Sequence, residues 1–260
     1  MTAPTDTKNM AVFCDFENVA LGVREAKYAQ FDMEKVLERL LAKGSIVVKK
    51  AYCDWDRYKE FKATMHAASF ELIEIPHLRQ SGKNSADIRM VVDALDLCYT
   101  KEHVDTFVIV SGDSDFSPLV SKLRENAKTV IGVGVKNSSS DLLINNCDEF
   151  IYYDDLVRQD EQKRRAAKKR REAAPAGEDK KQEAYDVVLE TLNALIAERG
   201  AEEKIWGSMV KQALKRRKPG FNESYYGFRA FSDLLEEMQQ KALIKLDPDE
   251  KSGGYLIRPA

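Results

Sequence analysis

From residue 10 to about residue 153, short runs rich in β-branched and aromatic residues alternate with longer runs of helical period. Such alternation is the pattern of a parallel sheet covered on both faces by helices. It predicts strands over Met10 to Cys14, Ile46 to Cys53, Glu71 to Ile75, Thr106 to Val110, Thr129 to Val135 and Phe150 to Tyr152. Between them it predicts helices near Asp32 to Ala42, Asp56 to Ser69, Ser85 to Tyr99, Pro118 to Asn126 and Ser139 to Asn145. The helix from Ser85 opens with Asp87, a carboxylate that complements the positive end of the helix dipole, and continues with Arg89, Asp93 and Asp96.

Two of these strands end in carboxylates. Val-Ile-Val-Ser-Gly-Asp-Ser-Asp-Phe, residues 108 to 116, is an apolar strand running into a glycine turn with two acids, and Met10 to Cys14 runs into Asp15-Phe-Glu-Asn18. Ligands collect at the carboxyl ends of parallel strands, so the two acidic ends are expected to converge on one pocket. Clustered carboxylates repel unless something positive sits between them, and a hard divalent cation answers that repulsion. An Asp after a strand is also a common turn former or helix cap, and Ser117-Pro118 is itself a good cap pair. Asp113 and Asp115, however, do not both serve one cap. Ser111 and Ser114 add short oxygen-bearing side chains beside Gly112, which lets the backbone turn tightly.

A chain of 260 residues has room for one full α/β domain and a small second one. No apolar run approaches the roughly 20 residues of a spanning helix. The first residues lack the charged-then-apolar pattern of a signal peptide, so no membrane partner and a cytoplasmic location are expected. Cys14, Cys53, Cys98 and Cys147 stand singly in apolar contexts, the pattern of reduced core thiols. His66, His77 and His103 fall in no metal-ligand spacing, which leaves zinc hydrolysis and His-based nucleophilic catalysis without support. Residues 1–156 are net acidic and residues 157–260 net basic, a charge asymmetry that hints at nucleic-acid contact.

Residues 158–181 read as a basic linker: a dense Lys and Arg run is followed by Pro175 and Gly177, which break any helix. A domain is expected on each side of it, over 1–157 and 182–260. In the second, Tyr185 to Ala197, Trp206 to Leu214 and Ser224 to Gln239 have helical patterning. Two short strands around a polar turn follow from Leu243, which completes a winged-helix arrangement.

The residues Asp15-Phe-Glu-Asn18 and Ser111-Gly-Asp-Ser-Asp-Phe-Ser-Pro-Leu-Val120, with Lys83-Asn-Ser-Ala-Asp87 and Asp93 between them, resemble the NYN domain, a branch of the PIN-like nucleases. The resemblance covers residues 10–156 and implies a PIN-like α/β sandwich with Mg²⁺- or Mn²⁺-dependent ribonuclease activity. Asp15, Asp87, Asp113 and Asp115 match the family's acidic cluster, the implied metal ligands, and Asn18 matches the polar partner of the first acid. On that reading Ser111 and Ser114 fix carboxylate rotamers. Arg79, Lys83 and Lys136 are candidates to hold substrate phosphates. The C-terminal stretch Val210-Lys-Gln-Ala-Leu-Lys-Arg-Arg-Lys-Pro-Gly-Phe-Asn-Glu-Ser-Tyr-Tyr-Gly-Phe228 resembles the LOTUS or OST-HTH winged helix. That resemblance implies RNA binding, with Lys215, Arg216, Arg217, Lys218, Tyr225 and Tyr226 as the candidate contacts.

Three functions fit these observations. The first is a metal-dependent ribonuclease with its own RNA-recruiting domain. The second is a non-catalytic RNA-binding adaptor whose acidic site is structural or vestigial, against which the complete acidic set argues; separately, the C-terminal domain is a candidate surface for a protein partner. The third is another Mg²⁺-dependent phosphoryl-transfer protein, weakened because Asp15 is followed two residues on by Glu17 and not by a second Asp.

Overall fold

A computed structural model describes residues 8–28, 30–75, 85–162, 179–200, 203–249 and 254–260. The chain divides into two compact units, the first of residues 1–40 and 44–158 and the second of residues 41–43 and 159–260.

The first unit is a six-stranded sheet in the order β3-β2-β1-β4-β5-β6, parallel throughout. Its strands are β1 (Lys8–Asp15), β2 (Gly44–Cys53), β3 (Glu71–Glu74), β4 (Thr106–Val110), β5 (Thr129–Gly134) and β6 (Glu149–Tyr152). The crossovers are helices α1 (Phe16–Glu25), α2 (Met33–Lys43), α3 (Lys59–Ala67), α4 (Ser85–Thr100), α5 (Ser117–Glu125) and α6 (Asp141–Asn146). A further helix, α7, begins at 153 and is described as far as 162.

The apolar alternation of the strands divides the core in two. Along β1, Met10, Val12 and Cys14 join one cluster with Val108, Val110, Ile131 and Val133, closed by Phe16, Val19 and Val36. Ala11 and Phe13 face the other way, into a cluster with Phe107, Ile109, Met90, Ala94 and Leu123. A strand buried on both faces has no polar side to show, which is why these runs read as continuous hydrophobic stretches.

Helix α1 is absent from the sequence expectation, because Asp15-Phe-Glu-Asn18 reads first as a ligand motif. Its signals are nevertheless present. Asp15 caps it by accepting the Asn18 backbone N–H at 3.3 Å, and the buried residues Phe16, Val19 and Val23 keep a helical spacing. One motif therefore serves both as a cap and as a strand-end acid.

In the second unit, α8 (Asp179–Arg199), α9 (Gly207–Arg217) and α10 (Phe231–Gln240) pack with the antiparallel pair β7 (Ile244–Asp249) and β8 (Gly254–Pro259). Tyr185, Leu192, Val210, Leu214, Leu234 and Met238 form its core. The third helix is shorter than the pattern predicts. Glu223–Tyr226 is a separate 3₁₀ turn, and Gly227 at φ +87° takes the left-handed conformation that ends it before α10 begins.

Candidate metal-binding and catalytic site

Strand order reverses between β1 and β4, since β2 and β3 lie to one side of β1 and β4 to β6 to the other. Cys14 pairs with Val110 in register, so both chains leave the sheet side by side, β1 at Asp15 and β4 at Ser111. This is the topological switch point at which open α/β sheets bind ligands.

Ser111 is fully buried and joins the two strand ends. Its Oγ donates to Asp15 Oδ2 at 3.0 Å and accepts the Asp113 backbone N–H at 3.2 Å. Asn18 makes a second link, its Oδ1 accepting the Gly112 N–H at 2.8 Å. Gly112 is required by a close approach, because a Cβ there would meet the Ser138 carbonyl oxygen at 2.4 Å. Past it, Asp113 caps a 3₁₀ turn (Ser114–Phe116) by accepting the Asp115 N–H at 2.9 Å. The caps and the candidate ligands are thus the same side chains.

The carboxylates act on one another. Asp15 is 7% exposed, and burial first, then the charges of Asp87 and Asp113, push its pKa up to about 7 against the opposing pull of the Asn18 N–H and the Ser111 hydroxyl. Asp87, in the first turn of α4, is pushed up to about 6 by burial and by Asp113, Asp115 and Glu17. Of the expected set, Asp15 and Asp113 share the Ser111 hydroxyl, and Asp87 and Asp115 act on the others through their charge. Glu17 is a fifth acid, outside the expected set; it belongs to the same Asp-Phe-Glu-Asn motif and pairs with Arg57 at 3.4 Å. Asp93, two turns further along α4, is occupied elsewhere, accepting from Tyr52 Oη at 2.9 Å and Arg89 Nε at 3.0 Å.

These donors fit a hard divalent cation. All are oxygens, and Asp15 is buried among like charges that a cation would relieve. Among the described residues no three His, Cys, Asp or Glu side chains form a ready-made cage.

The candidate phosphate and RNA contacts are more dispersed. Arg79 and Lys83 lie outside the described residues. Lys136 is exposed at the start of a 3₁₀ turn, its backbone N–H bound to Asp154 Oδ2 at 2.8 Å. Lys215 and Lys218 are exposed on and after α9, and Arg216 is partly so. Arg217 differs from the expectation. It is buried, with its guanidinium on Glu190 Oε1 at 3.1 Å and Thr191 Oγ1 at 3.2 Å, because the helical period turns this one member of the basic run toward α8. Tyr225 is 63% exposed with Lys180 Nζ 5.0 Å from its ring centroid, whereas Tyr226 stacks on Phe221 at 5.2 Å.

Sheet order and strand-end acids together define a PIN-like α/β protein. The chain belongs to the NYN family, whose domain matches residues 9–154, and an OST-HTH/LOTUS domain matches residues 185–251. An uncharacterized protein of Methanocaldococcus jannaschii is 29% identical over 125 residues, which cover 48% of this chain and 49% of that protein. The meiosis regulator and mRNA stability factor 1 of Xenopus tropicalis is 27% identical over 145 residues, 56% of this chain but 8% of that protein. The chain therefore aligns with about half of the archaeal relative and a small part of the frog protein. A crystal structure of a protein of unknown function from Vibrio parahaemolyticus superposes with a TM-score of 0.53 at 28% identity, covering 60% of this chain and 98% of that one. NYN domains are in general ribonucleases. Among the described residues no helix is long and apolar enough to cross a membrane.

Proposed function

We propose that this protein is a Mg²⁺- or Mn²⁺-dependent ribonuclease that hydrolyses phosphodiester bonds at the switch point, with RNA recruited by the C-terminal unit. The buried Asp15 at the end of β1, tied through Ser111 to the Asp113 turn at the end of β4 where the strand order reverses, carries this reading. Carboxylates brought together at a strand-end crevice, with pKa values moved toward neutrality, are what a site for cation-assisted phosphoryl chemistry requires.

Asp15 and Asp113 would hold the cation, with Asp87 and Asp115 bound directly or through water. The bound ion would supply Lewis acidity toward a phosphoryl oxygen and toward the attacking water. The chain's own residues prepare that arrangement. Ser111 and the Asn18 N–H fix the Asp15 carboxylate, while the Asp113 cap sets the direction of Asp115. Asn18 ties the β4 turn to α1, so the two acidic segments keep their spacing. Burial and the neighbouring carboxylates raise the Asp15 pKa to about 7, so cation binding should strengthen as pH rises.

The rival reading is a non-catalytic RNA-binding regulator, which the pairing of an NYN with an OST-HTH/LOTUS domain also suits. Labelled RNAs and a small phosphomonoester, each incubated with the protein and Mn²⁺, separate the readings. RNA cleavage that EDTA abolishes supports the proposal, RNA binding without cleavage supports the regulator, and hydrolysis of the monoester alone supports a different phosphoryl-transfer enzyme.

A further inference from the structure

A cluster of carboxylates repels a polyanion, so RNA lying across Asp15, Asp87 and Asp113 needs cations beside them. Arg57 is placed to supply one. Asp15 pairs in register with Tyr52, so β2 leaves the sheet beside β1. The turn that follows, closed by the Arg57 N–H on the Asp54 carbonyl oxygen at 3.1 Å, carries Arg57 at the same sheet edge as Asp15. Its Nη1 reaches Glu17 Oε1 at 3.4 Å, and Glu17 is one of the charges that act on Asp87. Lys136, by contrast, follows β5, two strands away from β1.

The contact with Glu17 leaves Arg57 able to take a ligand. One nitrogen of a fork with five N–H donors is engaged, the side chain is 53% exposed, and an ion pair this open to water is weak. Arg24 extends the basic track. It is exposed and lies seven residues beyond Glu17 in α1, about two turns, and therefore on the same face of the helix. Burial first, then Glu17, push the Tyr58 pKa up, while Arg57 and Arg24 act to lower it, so both guanidiniums stand near one ring.

We infer that Arg57 binds an RNA phosphate adjoining the scissile one, on the β2 side of the acidic cluster, and that the strand continues over Arg24 along α1; the inference rests on the ribonuclease reading above. A phosphate suits the site because the planar guanidinium fork matches two anionic oxygens. Glu17 holds the guanidinium at the edge of the cluster in the free protein and yields it to the phosphate, which offers more oxygens than the single one Arg57 meets on Glu17. The contact is made to the backbone of the RNA, so it positions the strand and reads no base.

The test uses the full chain with Mn²⁺ and an RNA with one mapped cleavage site, in which a single uncharged methylphosphonate linkage on a 2′-O-methyl ribose is moved stepwise along the strand. Matched controls carry the same ribose with an ordinary phosphate. At one linkage beside the cut, loss of the charge should raise KM about tenfold, the scale of one charge-assisted hydrogen bond. Arg57→Ala should raise KM similarly on all-phosphate RNA, reduce the salt slope of binding by about 0.7, and add little further loss on that one substrate. Arg24→Ala should show the same pattern at a linkage further along the strand. Glu17→Gln breaks the ion pair as surely as Arg57→Ala does, yet should bind RNA at least as tightly, because it frees the guanidinium. An equal rise in KM for Glu17→Gln and Arg57→Ala overturns the inference, since the pair then serves the fold alone. An Arg57→Ala protein as sensitive as wild type to the methylphosphonate at every linkage also overturns it and leaves the nuclease reading standing. Absence of any RNA cleavage by wild type overturns both readings.

Discussion

Ser111 Oγ donates to Asp15 Oδ2 at 3.0 Å, and this buried hydrogen bond fastens the end of β4 to the end of β1 where the strand order reverses. The same oxygen accepts the Asp113 N–H, so one hydroxyl sets the positions of acids that are 98 residues apart in the chain. Ser111→Ala should remove both contacts and leave the part-buried Asp113 N–H without its acceptor. A loss of about 1–3 kcal/mol in unfolding free energy is expected, together with weaker Mn²⁺ binding. Denaturant melts and isothermal titration check the two effects separately.

Asp15 carries a pH signature. Its folded pKa is raised to about 7 from an unfolded 3.8, so the folded protein binds the proton more tightly than the unfolded chain does. Stability without metal is therefore lost as pH rises through the window from about 4 to about 7, and Asp87, raised to about 6, acts in the same direction. Asp15→Asn should match wild type near the acid end of that window and exceed it in Tm near the neutral end. Metal reverses the ordering, since Mn²⁺ should raise the wild-type Tm at about pH 8 far more than that of Asp15→Asn. Calorimetry across pH with and without Mn²⁺ measures both, and a variant-to-wild-type difference independent of pH would contradict the account.

Gly112→Ala tests the close packing of the turn. Its Cβ would fall 2.4 Å from a backbone oxygen, which cannot rotate away as a side chain would, so the segment around Ser138 must shift. A destabilisation of about 1–3 kcal/mol is expected. Activity should fall further than stability alone explains, because Asp113 moves with the turn.

The basic run of the second unit divides into two kinds of residue. Arg217→Ala should lower the Tm of that unit by breaking the buried contacts with Glu190 and Thr191. Lys215→Glu with Lys218→Glu, both exposed, should leave Tm nearly unchanged while weakening RNA binding and flattening its salt dependence. Tyr225→Ala should weaken binding without altering the salt slope. Removing residues 158–260 should weaken binding while metal-dependent cleavage persists at high substrate.

The sheet was legible because its strands are short apolar runs separated by helical-period segments, and β4, Thr106–Val110, coincides with its expected span. Asp15, Asp113 and Asp115 were legible for the same reason, being the polar residues that end such runs. Asp87 enters as a candidate only through its family motif, because an acid in the first turn of a helix has a sufficient local explanation in the dipole. Helix α1 was hidden by the dual use of Asp15-Phe-Glu-Asn18, and Glu17 with it. The inward turn of Arg217 depends on helical phase against α8, a tertiary fact that a run of four cations does not disclose. Ser117 reads as a helix-start residue, and only the packed structure shows that its hydroxyl is buried without a partner.

The most direct measurement is single-turnover cleavage of a labelled RNA by the full chain with Mn²⁺, comparing wild type with Asp113→Asn. Asparagine still accepts the Asp115 N–H and so preserves the cap, while removing one anionic ligand. EDTA-sensitive cleavage by wild type, reduced at least about a hundredfold in the variant at unchanged Tm, is the predicted result. Equal cleavage by the two proteins, or cleavage indifferent to EDTA, would contradict the assignment of chemistry to this carboxylate cluster.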